Sequence, residues 1–456
     1  METNPSLKVN TGSRQILSIA LPISAAILIP QINLLTNNSF LGHLNTHSLG
    51  NALIPGVYYL IFAVAGHGLN NAMQSVFSRY AGAGESGSFH IILSQGIRIS
   101  LIISGLGILF TWFIAPMILK HFIVQEAYDS EIQFLRIRVL GLPFLYLFQM
   151  GNAFLVASLN SRLLIIGFIL EAGLNILLDY LLIFGHWGLP AMGFNGAALA
   201  SVIAECTGMI VVLAVLTKTG LGKRYSLFRH FHFNKPVYKE VMNVSAPLVM
   251  QYVISVTTWL VFFFFIEEKG DTAKAISNVM RNVFGITGIF VWAFAATSNT
   301  MVSNIIGQGR RDEVIPLITR IMLWSLGFCL VCCVLMNLFP YTIFRVFGQP
   351  MEFVEQTVPV ARMVSLGLLS MSIANIWLNG VTGTGRTRVN LLIEITAIIV
   401  YLLYTWYVMK VDYTSLTKAW SNELVYWATI FGMSFYYLKS GKWLKGRDEI
   451  KIIHHQ

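Results

Sequence analysis

Asn175-Ile-Leu-Leu-Asp179 places an amide and a carboxylate four residues apart inside a long apolar run, and side chains with that spacing share one face of a helix. An ionised group within lipid costs roughly 2.5–3.5 kcal/mol on insertion scales, so it is kept where it binds a cation, exchanges a proton or meets a polar partner. Hard cations take oxygen ligands, and carboxylate, amide and hydroxyl groups supply them. A desolvated carboxylate can instead be neutralised by a proton. The pair therefore points to a cation or proton site inside a membrane.

The elements that must carry such a pair follow from composition. Of 456 residues, 55% are hydrophobic and 11% charged, and the mean hydropathy is +0.66; soluble domains carry about 25% charged residues. This is an all-α membrane protein. Spans of about 20 apolar residues are expected at 15–38, 52–77, 91–116, 132–157, 163–184, 193–217, 240–266, 276–302, 317–339, 360–382, 390–409 and 416–438, twelve transmembrane helices with both termini on one side. Lys and Arg near span ends are retained in the cytoplasm. They crowd the termini and even-numbered connections (Arg79, Arg162, Lys218 to Lys239, Arg310, Arg311, Arg386, Arg388, Lys439 to Lys451) and are sparse in the others. Both termini are expected in the cytoplasm, with the chain multi-pass in the plasma (inner) membrane.

The net charge of +10 follows that loop asymmetry and forms no aromatic-interleaved patch, so nucleic acid is not an expected partner. The first apolar segment is long and lacks a small-residue cleavage site, so it is expected to stay as the first helix. Cys206, Cys329, Cys332 and Cys333 all fall in apolar segments. With no His or second Cys pair nearby, they are read as packing residues.

The chain repeats itself at a period near 225 residues. Ala20-Leu-Pro22 returns as Ser245-Ala-Pro247, Ser78-Arg-Tyr-Ala-Gly82 as Ser303-Asn-Ile-Ile-Gly307, Arg138-Val-Leu-Gly141 as Arg362 to Gly367, and Ser158 to Arg162 as Thr384 to Arg388. Six spans separate the copies, so both have the same orientation about an axis along the membrane normal. Two pseudo-symmetric six-helix bundles around a central cleft are expected: an N-terminal lobe at 1–217, a cytoplasmic linker at 218–239, a C-terminal lobe at 240–439 and a cytoplasmic tail at 440–456.

Pro22 fifteen residues before Asn37, the Phe40-Leu-Gly-His-Leu44 end of span one, Asn175 to Gly185 and Met192 to Ser201 together resemble the MATE family, the multidrug and toxic compound extrusion transporters. The resemblance covers essentially the whole chain. It implies twelve helices in two lobes and export of organic, often cationic and amphipathic, compounds in exchange for Na⁺ or H⁺. It implies alternating access, with small organic compounds and membrane lipids as partners, a monomeric state, no cofactor beyond the coupling cation, and no ATP.

The family's cation site matches Asp179, Asn175, Ser201 and the span-one position Asn37, so Na⁺ is a candidate ligand of these four. Helical rise puts all of them in the outer part of the N-terminal lobe, Asn175 about 6 Å deeper than Asp179. Two positions depart from the commoner pattern: Asn37 stands where Asp is usual and Ser201 where Thr is usual. Ser keeps the hydroxyl, whereas Asn removes a charge, which leaves the coupling ion open between Na⁺ and H⁺.

Other intramembrane polar groups carry two readings each. Glu171 and Glu205 extend an ion path inward or pair with Arg98 or backbone groups, and Glu394 is open in the same way. Asn33, His67, Asn70, Asn71, Gln74, Gln251 and Ser255 line a substrate cavity or make interhelical hydrogen bonds; Trp259, also a cavity candidate, Trp292 and Trp377 bind cations through their ring faces or serve as packing and interface residues. The fifth span of the second lobe does not repeat the Asn-xxx-Asp pair, so coupling is expected in the N-terminal lobe. No P-loop, G-x-S-x-G or H-E-x-x-H occurs, so no enzyme is expected. The alternatives are a flippase for lipid-linked oligosaccharides or lipids, of a related family, and a membrane-embedded acyl- or glycosyltransferase.

Overall fold

The computed structural model describes residues 7–44, 53–121, 123, 125–228, 231–345 and 351–444. The long helices among the described residues are α1 (Ser13–Leu44), α2 (Leu53–Ala83), α3 (Phe89–Leu109), α4 (Gln125–Arg138), α5 (Leu142–Ala157), α6 (Leu164–Phe184), α7 (Phe194–Lys218), α8 (Lys235–Glu267), α9 (Asp271–Gly307), α10 (Val314–Leu338), α11 (Met351–Gly383), α12 (Thr387–Trp406) and α13 (Asn422–Lys439). Helices α4 and α5 form one stretch across a 3₁₀ turn at Val139–Gly141, so the described residues are consistent with the twelve expected spans. Among the described residues ten stretches are long and apolar enough to cross a membrane. The other two, α2 and α13, carry more polar residues, among them His67, Asn70, Asn71 and Gln74 in α2 and Asn422 and Glu423 in α13.

The α4–α5 joint has a local cause. Pro143 enters the first turn of α5, and a proline has no N–H with which to continue the α4 ladder. The turn leaves Arg138 as the last residue of α4. The α6–α7 hairpin is tighter still. Gly185 ends α6 at φ +77° and Gly193 precedes α7 at φ +54°, conformations that favour glycine. The backbones then touch, since a Cβ on Gly196 would lie 2.6 Å from the Leu182 carbonyl oxygen.

The chain forms two compact units. The first is built on Leu17–Trp259 and so includes most of α8. There Asn71 Nδ2 donates to Tyr252 Oη at 3.3 Å and Tyr80 Oη to Glu240 at 2.9 Å, and a Cβ on Gly68 would lie 2.9 Å from Val249 Cα. The second is built on Leu260 onward together with Lys8–Ile16. Its core gathers Phe262, Tyr401 and Trp420 around buried Cys329, Cys333 and Met371, while Ser298 and Ser303 donate across to the carbonyls of Ile376 and Gly383, both at 3.0 Å. Residues 8–16 are held by side chains: Val9 N donates to Asn304 Oδ1 at 3.1 Å, Gln308 Nε2 to Val9 O at 2.9 Å, Thr11 Oγ1 to Glu313 at 3.2 Å, and Arg320 to Thr11 O. The sequence boundaries at 217 and 240 flank the linker, whereas the units divide at 259/260, inside α8.

Candidate cation site in the first unit

Asn175 is the hub of the site. It shares a face of α6 with Asp179 and donates to Asp179 Oδ2 at 3.3 Å, while its own Oδ1 accepts from Asn33 Nδ2 of α1 at 3.2 Å and from Ser201 Oγ of α7 at 3.4 Å. Asp179 is 0% exposed, and Asn175 and Ser201 are buried with it. These contacts lie at the long end of hydrogen-bond range. Asp179 Oδ1 and Asn33 Oδ1 have no hydrogen-bond partner, and no basic side chain pairs with Asp179 among the described residues. A buried carboxylate oxygen left unpaired is costly. A buried carboxylate oxygen of this kind can take up a proton or a hard cation.

The tight hairpin explains how Ser201 reaches this group, because contact at Gly196 sets α7 directly against α6. Asn37 lies on the backbone of α1 four residues beyond Asn33, and its side chain falls outside the described part of the structure.

About one turn below Ser201, Glu205 is held by Arg138, not by Arg98. Arg138 Nη1 and Nη2 donate to its two oxygens at 2.9 and 2.6 Å, Tyr59 Oη donates to Oε1 at 2.9 Å, and the guanidinium lies 3.7 Å from the centre of the Tyr59 ring. Gly141 makes room for this pair, since a Cβ there would lie 2.0 Å from Glu205 Oε2. Arg98 instead donates to the Phe231 carbonyl at 2.6 Å. Glu171 packs against Gly208 of α7, its Oε2 without a hydrogen-bond partner, within electrostatic reach of Glu205 and Arg138.

The remaining candidates do not converge on Asp179. His67 is exposed, with Nδ1 3.4 Å from Gln149 Nε2. Asn70 accepts from Gln74 at 3.1 Å. Gln251 is buried, and Ser255 and Trp259 are half-buried on α8. Trp377 is packed against Phe431 and Phe435, and Glu394 accepts from Tyr426 Oη. No sequence pattern marks Tyr59 or Gln149 as part of the site; the signal for Arg138 is an arginine inside the apolar run at 132–157, a position that also belongs to the repeat.

The match to known proteins has the same two-part form. The MatE family model matches residues 22–181 and again 247–407, the second match starting 225 residues after the first. The chain belongs to the MatE family. The MatE chain is 21% identical to a probable multidrug resistance protein NorM of Thermotoga maritima over 97% of its own length and 95% of the relative's. It is 25% identical to multidrug resistance protein NorM of Vibrio cholerae over 53% of each. Among solved structures, a multidrug resistance MATE family transporter in an outward-facing conformation matches with a TM-score of 0.84 at 13% identity, over 96% of this chain and 98% of that one. A MOP superfamily transporter from Pyrococcus furiosus, described as having a binding pocket of reverse polarity, matches with a TM-score of 0.81 at 16% identity. MatE proteins are multi-span membrane transporters, and the NorM relatives are multidrug resistance proteins.

Proposed function

We propose that this protein exports amphipathic organic cations by alternating access, driven by an inward cation flow for which Asp179 is the coupling carboxylate. The observation that carries the reading is the unpaired, fully buried Asp179 oxygen beside the Asn175 amide. Asp179, Asn175, Ser201 and Asn33 offer oxygens to Na⁺, which here is cargo. Full burial and an oxygen without a partner favour H⁺, which neutralises Asp179 without calling on further ligands, whereas Asn37, where the family commonly has Asp, leaves Na⁺ with one carboxylate fewer. Glu171 extends the path inward, whereas Glu205 serves as the counter-ion of Arg138.

Coupling requires that loaded and empty Asp179 favour different conformations, because a ligand shifts an equilibrium only through differential affinity. One cation moving inward yields about 2.3 kcal/mol per 100 mV, which sustains about a 50-fold gradient of a neutral exchanged compound. The flippase reading calls for an Arg-rich cavity, and the intramembrane Arg138 is already neutralised by Glu205.

The test is efflux of a fluorescent organic cation from proteoliposomes, wild type beside Asp179→Asn, under separately imposed pH and Na⁺ gradients. Export driven by the pH gradient in wild type and lost in the variant is expected. Export driven by Na⁺ alone would reassign the ion, and export that ignores both gradients and the substitution would overturn the coupling role of Asp179.

A further inference from the structure

The segment joining α7 to α8 has two unlike sides. Leu221, Tyr225 and Leu227 are buried beneath it, with the Tyr225 ring 5.3 Å from Phe89 and 5.6 Å from Phe154. The backbone is clamped to α3: the Phe231 carbonyl accepts from Arg98, and the His232 carbonyl accepts from Gln95 at 3.1 Å and Ser94 at 3.4 Å. With its inner side fixed, the segment turns three phenylalanines outward, Phe228 at 40%, Phe231 at 48% and Phe233 at 55% exposure. Lys223, Arg224, Lys235 and Lys239 are exposed around them, and residues 218–239 contain no Asp or Glu.

Three exposed aromatic rings facing water would be unfavourable, and lysines are unfavourable within hydrocarbon. Only the headgroup boundary suits both. The segment stands at that level because α7 ends at Lys218 and α8 begins at Lys235, so it joins consecutive spans. Aromatic rings insert there, and basic side chains gain from anionic headgroups.

We propose that this segment is a docking surface for anionic glycerophospholipids: Phe228, Phe231 and Phe233 enter the interface while Lys223, Arg224 and Lys235 pair with lipid phosphates. The binding rests on the membrane fold and not on the chemistry of Asp179, so the two proposals fail separately.

Hydrogen exchange of the full chain is to be compared in nanodiscs of phosphatidylcholine alone and of phosphatidylcholine with phosphatidylglycerol. Peptides from 218–239 are expected to exchange at least about fivefold more slowly in the anionic discs, the gain from one basic residue near such a surface, while the 185–193 hairpin is unchanged. Lys223→Gln/Arg224→Gln/Lys235→Gln should abolish the difference and leave exchange within α6 and α7 as in wild type. Equal exchange of 218–239 in the two discs would overturn the proposal. So would the same slowing in phosphatidylcholine discs given only inorganic phosphate, which would assign the site to a soluble anion.

Discussion

Glu171 and Glu205 lie on facing helices, yet their surroundings separate their roles. Glu205 accepts from a guanidinium and a phenol in a pocket opened by Gly141, so removing its charge strands Arg138. Breaking a buried pair from one side costs about 3–5 kcal/mol. Glu205→Gln is therefore expected to lower the unfolding temperature clearly in detergent. Glu171→Gln, which relieves a carboxyl with one unpaired oxygen, should change it little. The reverse order would show that the pairing is misassigned. The Asn175–Asp179 contact was legible in sequence because it is local, four residues on one helix. The Arg138–Glu205–Tyr59 contact joins three separate helices, and no spacing along the chain encodes it.

At the scale of elements, the α6–α7 hairpin sets the site, and its geometry depends on a backbone contact that cannot yield as a side chain would. Gly196→Ala would put a Cβ 2.6 Å from the Leu182 carbonyl oxygen; overpacking of this kind costs typically 1–3 kcal/mol and would move Ser201 away from Asn175. Gly173→Ala, on the same hairpin with nothing within 4 Å of its new methyl, is the control. Transport assays should show Asp179-dependent export lost in the first and kept in the second; equal activity would mean that the site does not need the close approach. The helices themselves were legible from hydropathy, but their ends were not. The apolar run predicts 276–302, whereas α9 runs Asp271–Gly307. Hydropathy measures the thickness of lipid, and polar residues such as Lys274 and Asn304 continue the helix beyond it.

For the whole molecule, the twofold character seen in the repeats appears again as two matches to one family model and as two compact units. The assignment of residues 8–16 was not visible in sequence, because their partners lie some three hundred residues away. Asn304 and Gln308 hold Val9 by both its backbone groups. A net hydrogen bond contributes about 0.5–1.5 kcal/mol. Asn304→Ala/Gln308→Ala should therefore speed amide exchange at Val9 by roughly tenfold or more, read by hydrogen-exchange mass spectrometry, with α6 unaffected. Unchanged exchange there would mean that other contacts hold the segment.

Because α8 passes from one unit to the other at 259/260 without a break, the residue count along it is fixed in a way that no loop shares. One residue inserted between Phe262 and Ile266, which share a core with Trp420, would advance the helix by about 1.5 Å and rotate one of them by about 100° relative to the other, out of that core. Side chains along α8 can be exchanged one for another, but inserting or deleting a residue changes the face that each of them presents.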